Sequence, residues 1–144
     1  MRTKLILVIA TVALLLVGCQ NDPKKAVIGT WKPDGNSLKI DWGEQGKNPQ
    51  FQAIKGQYEG KMKESLNKMT VTFKEDGTYT GTDPDGTNNG GKWTLSGNNL
   101  TVTPDTKKTD SPTPTLTVQP DGKTMSAHMA QQGVTVDMNF VKSS

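Results

Sequence analysis

The sequence predicts an all-β domain, an antiparallel meander of about eight strands that closes into a barrel and carries one amphipathic helix between strand 1 and strand 2. Three observations predict this fold. From Met69 onward, apolar residues alternate with threonine or other polar residues, which is the period of a strand. Short turn sequences separate the alternating stretches. One earlier stretch repeats its apolar residues at helical spacing instead.

The strand prediction depends on side chains two residues apart. Met69, Val71 and Phe73 point to one face while threonines occupy the other, and Glu75-Asp76-Gly77 supplies a hairpin loop with glycine at its left-handed position. Such alternation indicates one buried and one solvated face, as antiparallel sheets permit, and closure into a barrel removes exposed edges. The predicted strands are Val27–Trp31, Met69–Phe73, Thr78–Thr82, Trp93–Leu95, Leu100–Val102, Leu116–Val118, Met125–Met129 and Val134–Phe140.

Three stretches fall outside this pattern. Residues 83–91 and 104–114 are rich in Asp, Pro, Gly, Asn and Thr, which predicts loops. Residues 37–46 alternate too, but glycines bracket the stretch closely, so it fits either a strand or an apolar loop.

The helix follows strand 1. Its apolar residues are spaced three, four, four and four apart and therefore share one helical face; they are Phe51, Ile54, Tyr58, Met62 and Leu66. Asn48 can cap this helix, and Pro49 can occupy its first position. Gly56 and Gly60 each cost roughly 1 kcal/mol relative to alanine, so we expect the helix to depend on docking to the sheet.

The N-terminal residues indicate export. Arg2 and Lys4 precede an apolar run, residues 5–17, that is too short for the roughly 20 residues of a membrane-spanning helix. Leu16-Val17-Gly18-Cys19 then resembles the lipobox of bacterial lipoproteins, in which lipid is attached to the cysteine and the preceding bond is cut. Cys19 is the only cysteine, so it can form no intramolecular disulfide, and lipidation explains its presence.

This resemblance sets the expected organisation and location. Residues 1–18 are a signal peptide, 19–26 are the lipidated cysteine and a tether, and 27–144 are the barrel domain. The membrane is then a partner through the lipid on Cys19. Gln20 favours the outer membrane, facing the periplasm, in a Gram-negative cell; otherwise we expect the outer face of the cell membrane.

Charge excludes one class of partner. The chain has 17 basic and 14 acidic residues, and removal of Arg2 and Lys4 with the signal peptide leaves 15 basic residues against 14 acidic ones. The remaining lysines are scattered and no aromatic residues interleave with a basic stripe, so we expect no nucleic-acid partner.

Ile28-Gly29-Thr30-Trp31 carries the Gly-x-Trp pattern that opens the first strand of lipocalins. With the meander, it makes the domain resemble the lipocalin-like β-barrel domains of small bacterial lipoproteins. The resemblance implies that the tryptophan closes the barrel floor, that a small apolar ligand binds inside, and that the helix serves as a lid. The ligand-binding residues expected on this basis are Trp31, Tyr58, Met62, Phe73, Tyr79, Trp93, Met125, Met138 and Phe140.

Two alternatives to ligand binding stay open. One is a structural or envelope-stress lipoprotein whose solid barrel acts through its surface on an envelope protein or peptidoglycan. The other is a copper-binding lipoprotein that uses methionines, since Met125, Met129 and His128 offer ligands for Cu(I). Strand geometry favours core packing of these methionines, because odd positions point inward and His128 points to solvent; Met125 would face Met138 if residues 130–133 form the loop. We expect no metal site, no cofactor and no enzyme, since the only histidine lacks a nucleophile or further ligands nearby.

Overall fold

The computed structural model describes residues 22–106 and 114–143. The predicted signal peptide, Cys19 and the middle of the predicted loop 104–114 lie outside these ranges. The helices are α1 (Pro23–Val27) and α2 (Pro49–Leu66), and a 3-10 helix (Gly43–Lys47) lies immediately before α2. The strands are β1 (Gly29–Asp41), β2 (Thr70–Phe73), β3 (Thr78–Thr82), β4 (Asn88–Ser96), β5 (Asn99–Pro104), β6 (Thr115–Val118), β7 (Thr124–Gln131) and β8 (Val134–Lys142).

The strands form one closed antiparallel barrel. Each pairs with its neighbour in chain order, and β8 returns to pair with β1, where Trp31 faces Lys142 and Asp41 faces Thr135. The predicted eight-stranded meander with a helix between β1 and β2 is therefore confirmed. We call the end that holds α1 the closed end, and the end that holds the 3-10 helix and the β3–β4 and β7–β8 turns the open end.

Alternation places the core inside the barrel as predicted. Phe73 in β2, Tyr79 in β3, Trp93 in β4 and Met125 in β7 are all buried, while the threonines between such positions are more exposed. The buried apolar residues are Val27, Trp31, Leu66, Phe73, Tyr79, Trp93, Leu100, Leu116, Val118, Met125, Ala127 and Met138. One continuous interior thus accounts for the two-residue period of the sequence.

One stretch was left undecided by the sequence, and one predicted loop was too long. The undecided stretch 37–46 continues β1 through Asp41, after a register shift between Asp34 and Lys39, and then turns into the 3-10 helix. Residues 88–91 belong to β4, although the sequence predicted a loop over 83–91. Pairing of Thr82 with Asn88 leaves a tight turn between them, so backbone hydrogen bonding to β3 overrides the polar, glycine-rich composition.

The β7–β8 hairpin turns more tightly than the sequence predicted. Gln131 pairs with Val134, so Gln132 and Gly133 alone form the turn, with φ values of 50° and 78° as two-residue hairpins require. The expected loop over 130–133 was therefore wrong. Met125 faces Phe140 and Met138 faces Ala127, so Met125 and Met138 do not form the expected cross-strand pair.

Helix α2 has the predicted cap and only part of the predicted docking. The Asn48 side chain accepts a hydrogen bond from the Gln50 amide at 2.9 Å, and Pro49 follows at the first position. Leu66 is buried and Met62 packs on the core, but Ile54 and Tyr58 are 42% and 54% exposed. The apolar face is thus covered by the barrel only towards its C-terminal end.

Candidate functional site

The closed end is plugged by a tryptophan and a short helix. The Trp31 indole nitrogen donates to the Val27 carbonyl at 2.7 Å, and both residues are 0% exposed. The Lys142 ammonium lies 5.6 Å above the Trp31 ring centroid and donates to the Ala26 carbonyl at 2.8 Å. No ligand can enter here without displacing α1. β1 begins at Gly29, two residues later than predicted, because Val27 belongs to this plug.

Aromatic packing fills the interior above the plug. The Phe73 ring centroid lies 5.7 Å from that of Trp93 and 6.1 Å from that of Tyr79, and the Trp93 indole donates to the Lys74 carbonyl at 3.0 Å. Met125 is 1% exposed beside them in the same core cluster. The lower half of the barrel is therefore solid.

The nine residues predicted to bind ligand separate into three groups. Trp31, Phe73, Tyr79, Trp93, Met125 and Met138 belong to the buried core. Met62 and Phe140 are partly buried against that core. Tyr58 stands apart on the exposed part of α2, where its ring lies 6.2 Å from that of Phe51.

A pocket of about 340 Å³ lies at the open end. It is lined by Gln45, Met129, Gln131, Gln132, Val134 and Val136. Met129 pairs with Val136 in the β7–β8 ladder, on the same face as the buried Ala127 and Met138, so this wall continues the inner face of the barrel. The volume lies within the range of small-molecule pockets. Sequence reasoning placed these strand residues on the inner face but did not select them, because the turn that positions them was misassigned.

Polar groups line another part of the open end. Gly81 lies on the inner side of β3 towards the open end, and Asn89 lies opposite it in β4. The Asn89 amide donates to the Asp83 carboxylate. Burial raises the pKa of Tyr79, and the carboxylates of Asp105 and Asp83 raise it further, so the phenol stays neutral at physiological pH. The open end thus has an apolar wall at β7 and β8 and polar side chains where β3 turns into β4.

A second, larger pocket of about 690 Å³ lies outside the floor, between α1 and the β6–β7 turn. Its lining includes Asp22, Lys25, Asp121 and Lys123, so it is a charged groove. Asp121 accepts hydrogen bonds from the Lys123 amide at 2.8 Å and the Thr124 hydroxyl at 2.9 Å, which lower its pKa. These bonds hold the turn, and the open end is the better candidate for an apolar ligand.

The geometry does not assemble the copper ligands. Met125 and Met129 lie on the inner face of β7, whereas the exposed His128 lies on the outer face, where its Nδ1 is 2.6 Å from Asp137. Over residues 22–106 and 114–143, no group of three His, Cys, Asp or Glu side chains is placed to hold a metal ion. Within those same ranges, no helix is both long and apolar enough to cross a bilayer.

A plugged floor, a solid lower half and a pocket at the open end define a small β-barrel of the binding-module class. The chain belongs to the lipocalin-like domain family, whose sequence profile matches residues 27–119. This confirms the resemblance that Gly29 and Trp31 predicted. Proteins with such barrels are typically binders rather than enzymes.

Two solved structures align with most of this chain. A DUF4847 family protein from Bacteroides vulgatus has a TM-score of 0.49 at 16% identity, covering 82% of this chain and 96% of its own. Fatty-acid-binding protein 1 from Echinococcus granulosus has a TM-score of 0.42 at 16% identity, covering 83% and 99%. No curated protein matches the sequence.

Proposed function

We propose that this protein is a lipid-anchored, extracytoplasmic binding protein that holds a small apolar ligand at the open end of its barrel. The pocket beside Met129, Val134 and Val136 carries this proposal, because it is an apolar concavity on the inner face of a barrel whose other end is plugged. The solid lower half confines the ligand to this end. The ligand is therefore expected at the open end and not at the centre of the barrel.

The ligand part is tested by a polarity change inside the pocket. We expect N-phenyl-1-naphthylamine, a neutral apolar fluorophore, to bind the purified protein, and Val136→Thr to weaken binding roughly 3-fold, as loss of about one methyl contact predicts. Fluorescence titration measures both dissociation constants. The matched control is Val141→Thr, the same change on the outer face of β8, where the side chain is 43% exposed.

The outcomes of that titration separate the proposal from its rival. Unchanged affinity in Val136→Thr, or an equal loss in Val141→Thr, would place the fluorophore elsewhere. A protein that does not bind the fluorophore at all would favour the solid-barrel alternative, in which the outer surface acts. That surface carries rows of threonines, and the hydroxyls of Thr30 and Thr72 lie 2.9 Å apart across β1 and β2.

The anchor part of the proposal draws on residues 1–19, whose sequence resembles a lipoprotein signal ending at Cys19. Asp22, three residues later, lines the groove at the closed end. Three extended residues span about 10 Å. A lipid on Cys19 would therefore hold the floor beside the bilayer and turn the open end towards the aqueous compartment, where a ligand can reach it.

Replacement of the proposed anchor residue gives the test of location. In the native host, Cys19→Ala should abolish membrane association and leave unprocessed precursor, because the thiol is the attachment point for lipid. Cell fractionation and the mobility of the protein on a gel measure these effects. Gln20→Ala is the control and should be processed normally. A Cys19→Ala protein that is cut and stays with the membrane as before would contradict the anchor.

A further inference from the structure

We infer that the pocket at the open end selects small uncharged ligands whose polar end is an amide or a hydroxyl, and that it discriminates against carboxylates and ammonium ions. The polar end of the ligand lies at the rim, among the side chains of Gln45, Gln131 and Gln132. The apolar body lies below it, against Met129 and Val136. This inference rests on the proposed function, because it names the ligand class of the same pocket.

The first argument is the change from polar to apolar lining along the inner face. On β7 the inward positions run from Gln131, beside the turn, to Met129 and then to the buried Ala127. Met129 pairs with Val136 in the layer below the rim. The next layer pairs Ala127 with the buried Met138, where the solid core begins. A ligand therefore meets amide groups at the rim and a short apolar region beneath them.

The second argument is the hydrogen-bonding chemistry of the rim. Gln45 comes from the 3-10 helix, Gln131 from the end of β7 and Gln132 from the β7–β8 turn. Each side-chain amide offers two N–H donors and one carbonyl acceptor. An amide or a hydroxyl on the ligand both donates and accepts, so it can use both kinds of group. A carboxylate can only accept, and an ammonium group can only donate.

The third argument is the absence of charge in the lining. Of the described residues, the six that line this pocket include none that is ionisable. In the adjoining 3-10 helix, Glu44 and Lys47 pair with each other at 2.6 Å, with side chains 87% and 74% exposed. Asp137 lies on the outer face of β8 beside His128. A charged group that loses water without gaining an opposite charge is destabilised, so an ion binds here less well than a neutral group.

The fourth argument is the contact that holds the rim in place. Gly43, the first residue of the 3-10 helix, lies so close to the β7–β8 turn that a Cβ on it would be 2.3 Å from the Gly133 carbonyl oxygen. Its φ of 52° also favours glycine. This contact brings the backbone of Gln45 to the turn that carries Gln132. The segments that present the amides are therefore positioned before a ligand binds, which lowers the cost of ordering them.

Competition among ligands of equal chain length tests this inference. Octanamide, octan-1-ol, octanoate and octylammonium are titrated against N-phenyl-1-naphthylamine bound to the purified protein at neutral pH, where the last two are ionised. We expect octanamide and octan-1-ol to displace the fluorophore at roughly 10-fold lower concentrations than either ion, as expected when amide donors or acceptors are left unpaired. Added salt should leave this order unchanged, because the described lining carries no charge to be screened.

Variants assign the preference to the rim. Gln131→Met keeps the length of the side chain and removes its amide, so it should weaken octanamide binding roughly 5-fold, the usual range for one lost hydrogen bond. Gln45→Met should act in the same direction. Neither variant should weaken binding of the fluorophore, which depends on the apolar region below. The matched control is Gln57→Met, the same change at an exposed position of α2.

The results separate two failures. If octanoate or octylammonium competes as well as octanamide, or if Gln57→Met weakens octanamide as much as Gln131→Met does, the ligand class is wrong and the binding proposal stands. If calorimetry detects binding of neither the fluorophore nor any of the four ligands, both are overturned.

Discussion

Replacement of Trp31 by alanine is expected to lower the free energy of unfolding by about 3 to 5 kcal/mol, the usual cost of deleting a large buried aromatic side chain. The ring is 0% exposed and its indole donates to the Val27 carbonyl at 2.7 Å. Its loss removes the plug of the closed end and the surface against which α1 packs. Urea unfolding followed by circular dichroism measures the change.

Two further variants make this prediction specific. Trp31→Phe retains an aromatic ring but loses the hydrogen bond to Val27, so it should cost clearly less than Trp31→Ala. Trp42→Ala is the matched control, because Trp42 is only partly buried beside α2, where its indole donates to Glu59 at 3.0 Å. An unfolding free energy for Trp31→Ala equal to that of Trp42→Ala would contradict the plugged floor.

Replacement of Gly91 by alanine is expected to be nearly as damaging, although it adds a single methyl group. The new Cβ would lie 2.2 Å from the Thr103 carbonyl oxygen and 2.9 Å from both the Pro104 Cα and the Tyr79 ring. Two of these neighbours are backbone atoms, which cannot move aside without distorting the β4–β5 ladder. We expect a loss of about 3 kcal/mol, the upper range for overpacking, and a melting temperature lower by roughly 10 °C.

The same substitution in α2 supplies the control. A Cβ on Gly56 or Gly60 meets no atom within 4 Å, so Gly56→Ala should raise stability by up to about 1 kcal/mol through helix propensity. Differential scanning calorimetry of both variants measures whether the melting temperature falls in Gly91→Ala and rises in Gly56→Ala. If Gly91→Ala melts at or above the temperature of the unaltered protein, the close approach of β4 to β5 and Tyr79 is wrong.

The barrel could be predicted from the sequence because its signal is local. Met69, Val71 and Phe73 alternate with threonines. This two-residue period places the apolar side chains on one face of a strand, and it can be recognised without knowledge of distant residues. The α2 prediction succeeded for a similar reason, since Asn48 and Pro49 act within the first turn. Local rules thus gave the class of fold and the order of its elements.

The missed features depend on partners distant in sequence. Asn88 and Asn89 join β4 only because β3 offers a paired edge. Helix α1 has five residues, far too few to be stable alone, and packing of Val27 on Trp31 supports it. The candidate site also depends on pairing between strands. The two-residue turn at Gln132 sets the register of Met129 and Val136, and tertiary pairing fixes that register.

The most direct measurement maps an apolar probe onto the barrel. In a titration of the ¹⁵N-labelled protein with N-phenyl-1-naphthylamine, we expect the largest amide shifts at Met129, Val134 and Val136, which line the open-end pocket. The indole signal of Trp31, buried at the closed end, should stay in place. Largest shifts at the Trp31 indole, or shifts confined to the outer threonines, would show that the open end is not where this protein binds.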